Sequence, residues 1–465
     1  MTATLPGSEA PIEVGTPADW DDIAELLFTT FHSPRDETEA EREAGWGITE
    51  LDRSLVVRAG DTLVAHAAAF TRELTVPGAV VPAAHVTRVA VAATHRRQGL
   101  LSRLMRQQLR DVRAAGREPI AVLWASEGQI YPRFGYGHAA QRWYLDVRAA
   151  GLRPVESDGT GPAITLRTGD PAALRPVLGT LWDRLRPDRP GWSERTDPWW
   201  RFLLADGPNA RAGATARRAV LAETADGPVG YALWRTRARW DERGPQGVVL
   251  LDELVAADPA AYATLWRFLL NIDLTRSLHY DYAAVDEPVQ HLVDEVRQLG
   301  ARLGHGLWVR IVDLPAALAA RRYATGVDVV LEVTDPLLPE NAGRWRLTAA
   351  AGTARCTRTE APAELVCDVR DLAAAYLGGP SLAALASAGR VREIRPDALA
   401  RTSAAFGWHR APAGLGSFDF PATRGRSGGF GSGSRERVSG PRSGDRSRAG
   451  SSWQPLTGRR RRAGR

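Results

Sequence analysis

Between Val86 and Leu109 the chain changes period. Val86-Thr-Arg-Val-Ala-Val-Ala-Ala is an apolar run of strand type. A basic turn follows, His95-Arg96-Arg97-Gln98-Gly99. Leu100, Leu101, Leu104, Met105, Leu109 and Val112 then recur at helical spacing, which predicts a helix from Gln98 to Ala115 with Gly116 as its stop. A strand that feeds a helix through so short a turn commits the region to α/β architecture. The first turn of a helix leaves about four N–H groups unpaired and carries a positive partial charge. That makes it an anion site, with phosphate as the usual guest. Gly99 admits close approach of a ligand, and Arg96 and Arg97 add charges that suit phosphate oxygens. The same residues also fit a solvated basic turn, and this stretch alone does not separate the two.

The surrounding sequence extends the pattern. In TPADWDDIAELLFTTF, Trp20, Ile23, Leu26, Leu27 and Phe31 predict a helix with Thr16 as cap and Pro17 as first residue. LVAHAAAFTRELTV and AVVPAAHVTRVAVAA read as strands about a turn at Pro77-Gly78, and IAVLWAS as a buried strand. Residues 155–315 form a second α/β unit, in which VVLLDELVAADPAAYATLWRFLLNIDL again gives strand, turn and helix. Val255-Ala256-Ala257-Asp258-Pro259 stands there where Val91-Ala92-Ala93-Thr94-His95 stood, without the arginine pair or the glycine. A third unit, from 317 to 420, reads as strands followed by helices. At roughly 150 residues per domain, a 465-residue chain accommodates about three domains.

The formal charge of +6 is unevenly placed. Residues 421–465 hold 12 arginines, 10 glycines and 8 serines against two acids, Glu436 and Asp445. The rest carries 48 arginines against 52 acids, so the high isoelectric point of 9.7 belongs to the tail. The tail lacks the apolar groups to fold and is expected to be disordered. The sequence contains no lysine. Two cysteines, Cys356 and Cys367, exclude a disulfide framework and fit a reduced, cytoplasmic setting. No signal peptide is evident, and no apolar run approaches the ~18 residues of a membrane span. His66, His85 and His95 show no metal spacing, so no metal is expected.

A second motif follows the strand at 120–126. In SEGQIYPRFGYG, residues 126–137, Ser126 is placed to cap a short helix that Pro132 must cut off or distort. Tyr131 falls near the C-terminal end of the sheet, where α/β sheets commonly bind ligands. It also fits a packed aromatic, the role assigned to Phe134 and Tyr136. Taken together, VAV at 89–91, THRRQGLL at 94–101 and SEGQIYPRFGYG resemble the Eis (enhanced intracellular survival) branch of the GNAT acetyltransferases. Order, separation and strand–helix context agree, and the resemblance extends over residues 1–420.

The resemblance implies a mixed α/β, or α+β, chain of tandem GNAT folds. An active GNAT domain would span 1–153, a degenerate one without the cofactor loop 154–316, and a sterol-carrier-like α+β domain 317–420, followed by the disordered tail 421–465. It implies acetyl transfer from acetyl-CoA to a primary amine, direct and in a ternary complex. Val89, Ala90 and Val91 would pair with the pantetheine arm. Arg97, Gln98, Gly99, Leu100, Leu101 and Ser102 would hold the diphosphate, and Ser126 and Glu127 would touch the coenzyme from the other side. Tyr131 would donate the proton to the leaving thiolate. Trp20, Phe31, Trp46 and Asp419 match a cleft for bulky cationic amines, aminoglycosides or polyamines. Arg88 stands where the family often has an aromatic, which works against such cations. The acid-rich segment 35–43 reads either as an attractor of polycations or as a solvated loop. The family's base is the terminal carboxylate after an aromatic–acid–aromatic end. Here that end is SFDF, 417–420, and the chain runs on for 45 residues to Arg465. Removal of the tail, its folding back, and substitution by Asp419 or a water relay all stay open. A homohexamer is implied as well. Two rival readings are a lipid or sterol carrier with a relic GNAT domain, and a nucleic-acid binder acting through the tail. The acidic body offers nucleic acid no second basic face, and neither nucleic acid nor membrane is an expected partner.

Overall fold

The computed structural model describes residues 10–148, 163–208, 211–350 and 352–416. Three large sheets and a two-stranded ribbon, Trp240–Asp241 with Gly244–Pro245, organise them. The first runs in the order 12–14, 54–59, 62–76, 79–91, 120–124, 307–311, 137–138. The second runs 302–305, 141–148, 275–284, 247–256, 227–237, 218–224, 165–169, and the third 353–358, 343–350, 327–334, 365–368, 391–393. The boundary expected at 153/154 and the tail from 421 lie outside the described residues.

The first two sheets exchange strands. Gln141–Arg148, early in the chain, lies in the second sheet between Arg302–His305 and Thr275–Ala284. Leu307–Ile311 returns to the first sheet and pairs with Ile120–Trp124 on one side and Gly137–His138 on the other. Sequence stretches 1–153 and 154–316 are therefore not coextensive with the sheets. An apolar run marks a strand, but its hydrogen-bond partner is chosen in three dimensions.

The helix Leu100–Ala115 buries Leu100, Leu104, Met105, Leu109 and Val112 against the first sheet, while Leu101, the remaining member of the periodic set, is half-buried. It ends at Gly116 in the left-handed region. It begins two residues later than the periodicity predicts, because Arg97 (φ 63) and Gly99 (φ 82) are both left-handed and cannot belong to a helix. Trp20–Thr30 is the first α-helix, preceded by a 3-10 turn at Pro17–Asp19 that Thr16 and Asp19 close as a capping box.

The third sheet packs on the first. One hydrophobic core runs from Phe70, Val76, Ile120 and Val309 through Leu331 and Leu347 to Leu372 and Phe406. At Gly137 the backbone of Val369–Ala375 comes so close that a Cβ would overlap Arg370 O and Ala374 N. A large polar side chain lies in the interior of this third unit. Arg321 is fully buried there, donating to the carbonyls of Tyr376 (2.6 Å) and Phe406 (2.9 Å), with the rings of Tyr323 and Phe406 within 5 Å of its guanidinium. Cys356 and Cys367 are buried small hydrophobes in the same core, and burial pushes the Cys356 thiol up to about 12.

Candidate active site

The site grows out of a disagreement between two neighbouring strands. Ala79–Val91 runs parallel to Ile120–Trp124, but they pair only from Ala83–Ile120 to His85–Val122. Beyond His85 the strands part, and the edge from Val86 to Val91 opens. On its other side the strand stays paired with Thr62–Val76 but carries a β-bulge. His66 faces Ala90 and Ala68 faces Thr87, so Arg88 and Val89 share the place opposite Ala67. Arg88 takes φ 53, unusual for a residue with a Cβ.

At the mouth of this gap lies the basic turn. Gly99 is the N-cap of Leu100–Ala115 and supplies no side-chain cap; the first intrahelical bond is Arg103 N to Gly99 O, 3.0 Å. The N–H groups of Leu100, Leu101 and Ser102 therefore have no intrahelical acceptor. A Cβ at Gly99 would meet nothing within 4 Å, so the approach is open. Arg96 and Arg97 are exposed, and neither enters an ion pair with another described residue. This turn fits a phosphate-bearing group: orphan donors, free cations and room.

The far wall comes from residues 124–134. Ser126 caps no helix. The chain turns from Glu127 to Ile130 and then forms a single 3-10 turn, Tyr131–Phe134, because Pro132 forbids a longer one. Tyr131 fits both readings of the sequence: it is packed edge-to-face on Tyr136 (centroids 5.8 Å) and also lines the cleft.

Val89, Ala90, Val91, Arg97, Gly99, Leu100, Leu101, Ser102, Ser126, Glu127, Tyr131 and Phe31 line one cleft of about 750 Å³. Four of its lining residues are arginines (Arg88, Arg96, Arg97 and Arg133) and one, Glu127, is a carboxylate. Such a surface attracts anions. Gln98 stands behind the turn, its amide reaching Thr94 O at 3.4 Å, and does not line the cleft. Trp20 and Trp46 do not line it either; they form an edge-to-face pair at 5.0 Å, with the Arg88 guanidinium 5.5 Å from the Trp20 ring. Asp419 and Arg465 lie outside the described residues. The acid-rich segment is largely a helix, Glu39–Gly47. Its Glu41 is buried and accepts from Thr38 N, the helix N-cap, at 2.8 Å and from Gly207 N at 3.0 Å, while Arg42 pairs with Asp21. Trp124 and His32 also line the cleft, and sequence reading passed over both. Each sits among apolar or polar neighbours with no local motif to flag it.

The second unit shows the same strand–turn–helix with its end closed. Asp258 caps Pro259–Leu270, its carboxylate accepting from Ala261 N at 2.8 Å. The negative charge that a ligand would bring is supplied by the chain. Among the described residues no cluster of three or more His, Cys, Asp or Glu is placed to hold a metal ion, and no helix is long and apolar enough to cross a membrane.

Comparison with known proteins finds three domain families in succession. An acetyltransferase (GNAT) domain family matches residues 12–139, a second GNAT family 191–311, and a sterol carrier protein domain 314–413. The chain is 46% identical over 395 residues to an uncharacterized N-acetyltransferase of Streptomyces avermitilis, covering 85% of this chain and 96% of that protein. It is 35% identical over 396 residues to the N-acetyltransferase Eis of Mycobacterium tuberculosis, covering 83% and 92%. The crystal structure of Eis1 from Mycobacterium abscessus superposes with a TM-score of 0.74 at 31% identity, over 88% of this chain and all of that one. With two GNAT units, a sterol-carrier-like third and homology along nearly the full length of these relatives, the chain belongs to the Eis family of GNAT N-acetyltransferases.

Proposed function

We propose that the cleft binds acetyl-CoA and transfers its acetyl group directly, in a ternary complex, to a primary amine of a small molecule. The observation that carries this reading is the uncapped helix terminus at Gly99, flanked by arginines that enter no ion pair with a described residue and facing the stretch Val89–Val91, beyond the point where the strand's pairing with Ile120–Trp124 ends. In this reading the N–H groups of Gly99 to Ser102 and the Arg97 guanidinium bind the diphosphate, with Gln98 shaping the turn from behind. The edge Val89–Val91 pairs with the pantetheine arm, and a backbone N–H there stabilises charge on the thioester oxygen. Ser126 and Glu127 hold the coenzyme from the far wall. As the amine nitrogen bonds to the acetyl carbon, the C–S bond breaks and Tyr131 protonates the departing sulfur. The amine gives up its proton to a base from the C-terminal segment, Asp419 or the Arg465 carboxylate. Asp419→Asn and a chain ended at Phe420 tell these apart.

For the acceptor we propose a bulky amine of aminoglycoside or polyamine type, with Phe31, Trp20 and Trp46 supplying aromatic faces and Asp419 a negative charge. Arg88 opposes a dense cation, so a neutral primary amine is the informative comparison. We further propose the division 1–153, 154–316, 317–420 and 421–465, a cytoplasmic setting and a homohexamer, which sedimentation of the full chain tests.

The decisive experiment is coenzyme A release from acetyl-CoA in the presence of a polyamine or an aminoglycoside. Tyr131→Phe is expected to lower kcat about a hundredfold, the usual contribution of a positioned acid, with little change in the KM for acetyl-CoA. Unaltered turnover in that variant removes Tyr131 from the acid role.

A further inference from the structure

The bulge at Arg88–Val89 needs a reason to persist. A left-handed φ in a residue with a side chain survives only where its surroundings hold it. The Arg88 side chain is held by several contacts: Nη1 donates to Thr49 Oγ1 at 2.7 Å, Nη2 donates to Gly45 O at 3.4 Å, and the guanidinium lies 5.2 Å from the Phe70 ring and 5.5 Å from the Trp20 ring. A further hold acts on the backbone. His66 Nδ1 lies 2.8 Å from the carbonyl oxygen of Arg88. A carbonyl only accepts, so Nδ1 carries the proton. The other ring nitrogen, Nε2, is buried and has no partner among the described residues. His66 is 1% exposed, on a strand whose neighbours are Ala65 and Ala67, where an apolar side chain would leave no polar atom unmet. The imidazole is there for the single bond its Nδ1 makes.

We infer that His66 is a positioning residue for acetyl transfer: its Nδ1–H pins the Arg88 carbonyl and so fixes the bulge that presents the Val89–Val91 backbone to the thioester. This rests on the acetyl-transfer reading above. The ring does not titrate near neutrality. Burial pushes it down to about 4 and the Arg88 charge acts in the same direction, against the opposing pull of the bond to Arg88 O and of Asp19. The clamp is therefore a constant part of the site and not a switch.

Three substitutions separate this role from packing. His66→Asn keeps an N–H at the Nδ1 position, His66→Gln moves it to the Nε2 position, and His66→Leu removes it. The expected result is kcat within about threefold of wild type for Asn, and about ten- to a hundredfold lower for Gln and Leu, the loss that follows a slight misplacement of reacting groups. KM for acetyl-CoA and for the amine should shift less than about threefold. Equal loss in all three variants, or none in any, overturns the inference. If His66→Leu does not fold, the Asn–Gln contrast decides. Crystal structures of the Asn and Gln variants give a readout free of turnover: Arg88 should keep its positive φ in Asn and lose it in Gln. A wild-type protein that turns over no amine would sink the acetyl-transfer reading, while the Arg88 backbone would still report on the clamp.

Discussion

A buried histidine ties the stability of a fold to pH, and this sheet contains two. His66 is pushed down to about 4 and His85 well below its ordinary value, in both cases chiefly by burial. In the unfolded chain each ring takes its proton near pH 6.5. Between that value and the folded one, the unfolded state holds the extra proton, so acid favours unfolding. The contribution of His66 is complete above pH 6.5 and falls by about 3 kcal/mol as the pH drops to 4. Urea midpoints at steps from pH 7 to 4.5 should decline steeply for wild type and less steeply for His66→Asn, which has no proton to take up. Parallel curves would remove His66 as a source of acid lability. Residues of this kind were not legible in the sequence. Gly99, Arg97 and Tyr131 announce themselves through short local motifs. His66 stands in LVAHAAAF, a strand like many others, and its meaning comes from a carbonyl 22 positions away.

Two helices with one ancestry of pattern, Leu100–Ala115 and Pro259–Leu270, show what an N-terminus does when it is left open or closed. Gly99→Ala puts a Cβ where nothing obstructs it but at φ 82, so its cost is conformational, about 1 kcal/mol. Because relief of that strain would tilt the first-turn N–H groups, the KM for acetyl-CoA should rise several-fold too. Asp258→Ala removes a working cap and should also cost about 1 kcal/mol. It should leave that KM unchanged. Thermal melts and acetyl-CoA kinetics on both variants check the contrast; a KM effect from Asp258→Ala would mean that the closed terminus takes part in coenzyme binding. At this scale the sequence was readable in kind but not in detail. Period identified both helices and the long strand. It misplaced the start of Leu100–Ala115, since a left-handed Arg97 has no signature in composition, and it could not show the bulge, because an extra residue in VTRVAV interrupts no alternation.

At the scale of the whole chain, the three sequence units were legible as units because each repeats a complete strand–helix pattern. The strand exchange was not, because the pairing of Leu307–Ile311 with Ile120–Trp124 spans almost 190 positions and leaves no local trace. That exchange gives one pair of residues unusual reach. Arg310, on the returning strand, is fully buried and donates from Nη2 to both carboxylate oxygens of Asp335 at 2.8 Å. Asp335 also accepts from Asn341 Nδ2 at 2.9 Å, and Asn341 Oδ1 accepts from Leu314 N at 2.9 Å. One buried carboxylate thus fastens a strand of the first sheet to the third unit. Removing one partner of such a pair leaves a charge stranded in the core, so Asp335→Ala should cost about 3–5 kcal/mol. Replacing both, as Arg310→Met with Asp335→Leu, should recover much of that loss, since the stranded charge and not the missing attraction dominates. Because Leu307–Ile311 borders Ile120–Trp124, which carries the far wall of the cleft, the single variant should lose acetyl-CoA binding along with stability, and the double variant should regain both. Melting temperatures and coenzyme titrations on the two proteins decide it: a double variant as unstable as Asp335→Ala would mean that the ion pair itself, and not the avoidance of a lone buried charge, holds the first sheet to the third unit.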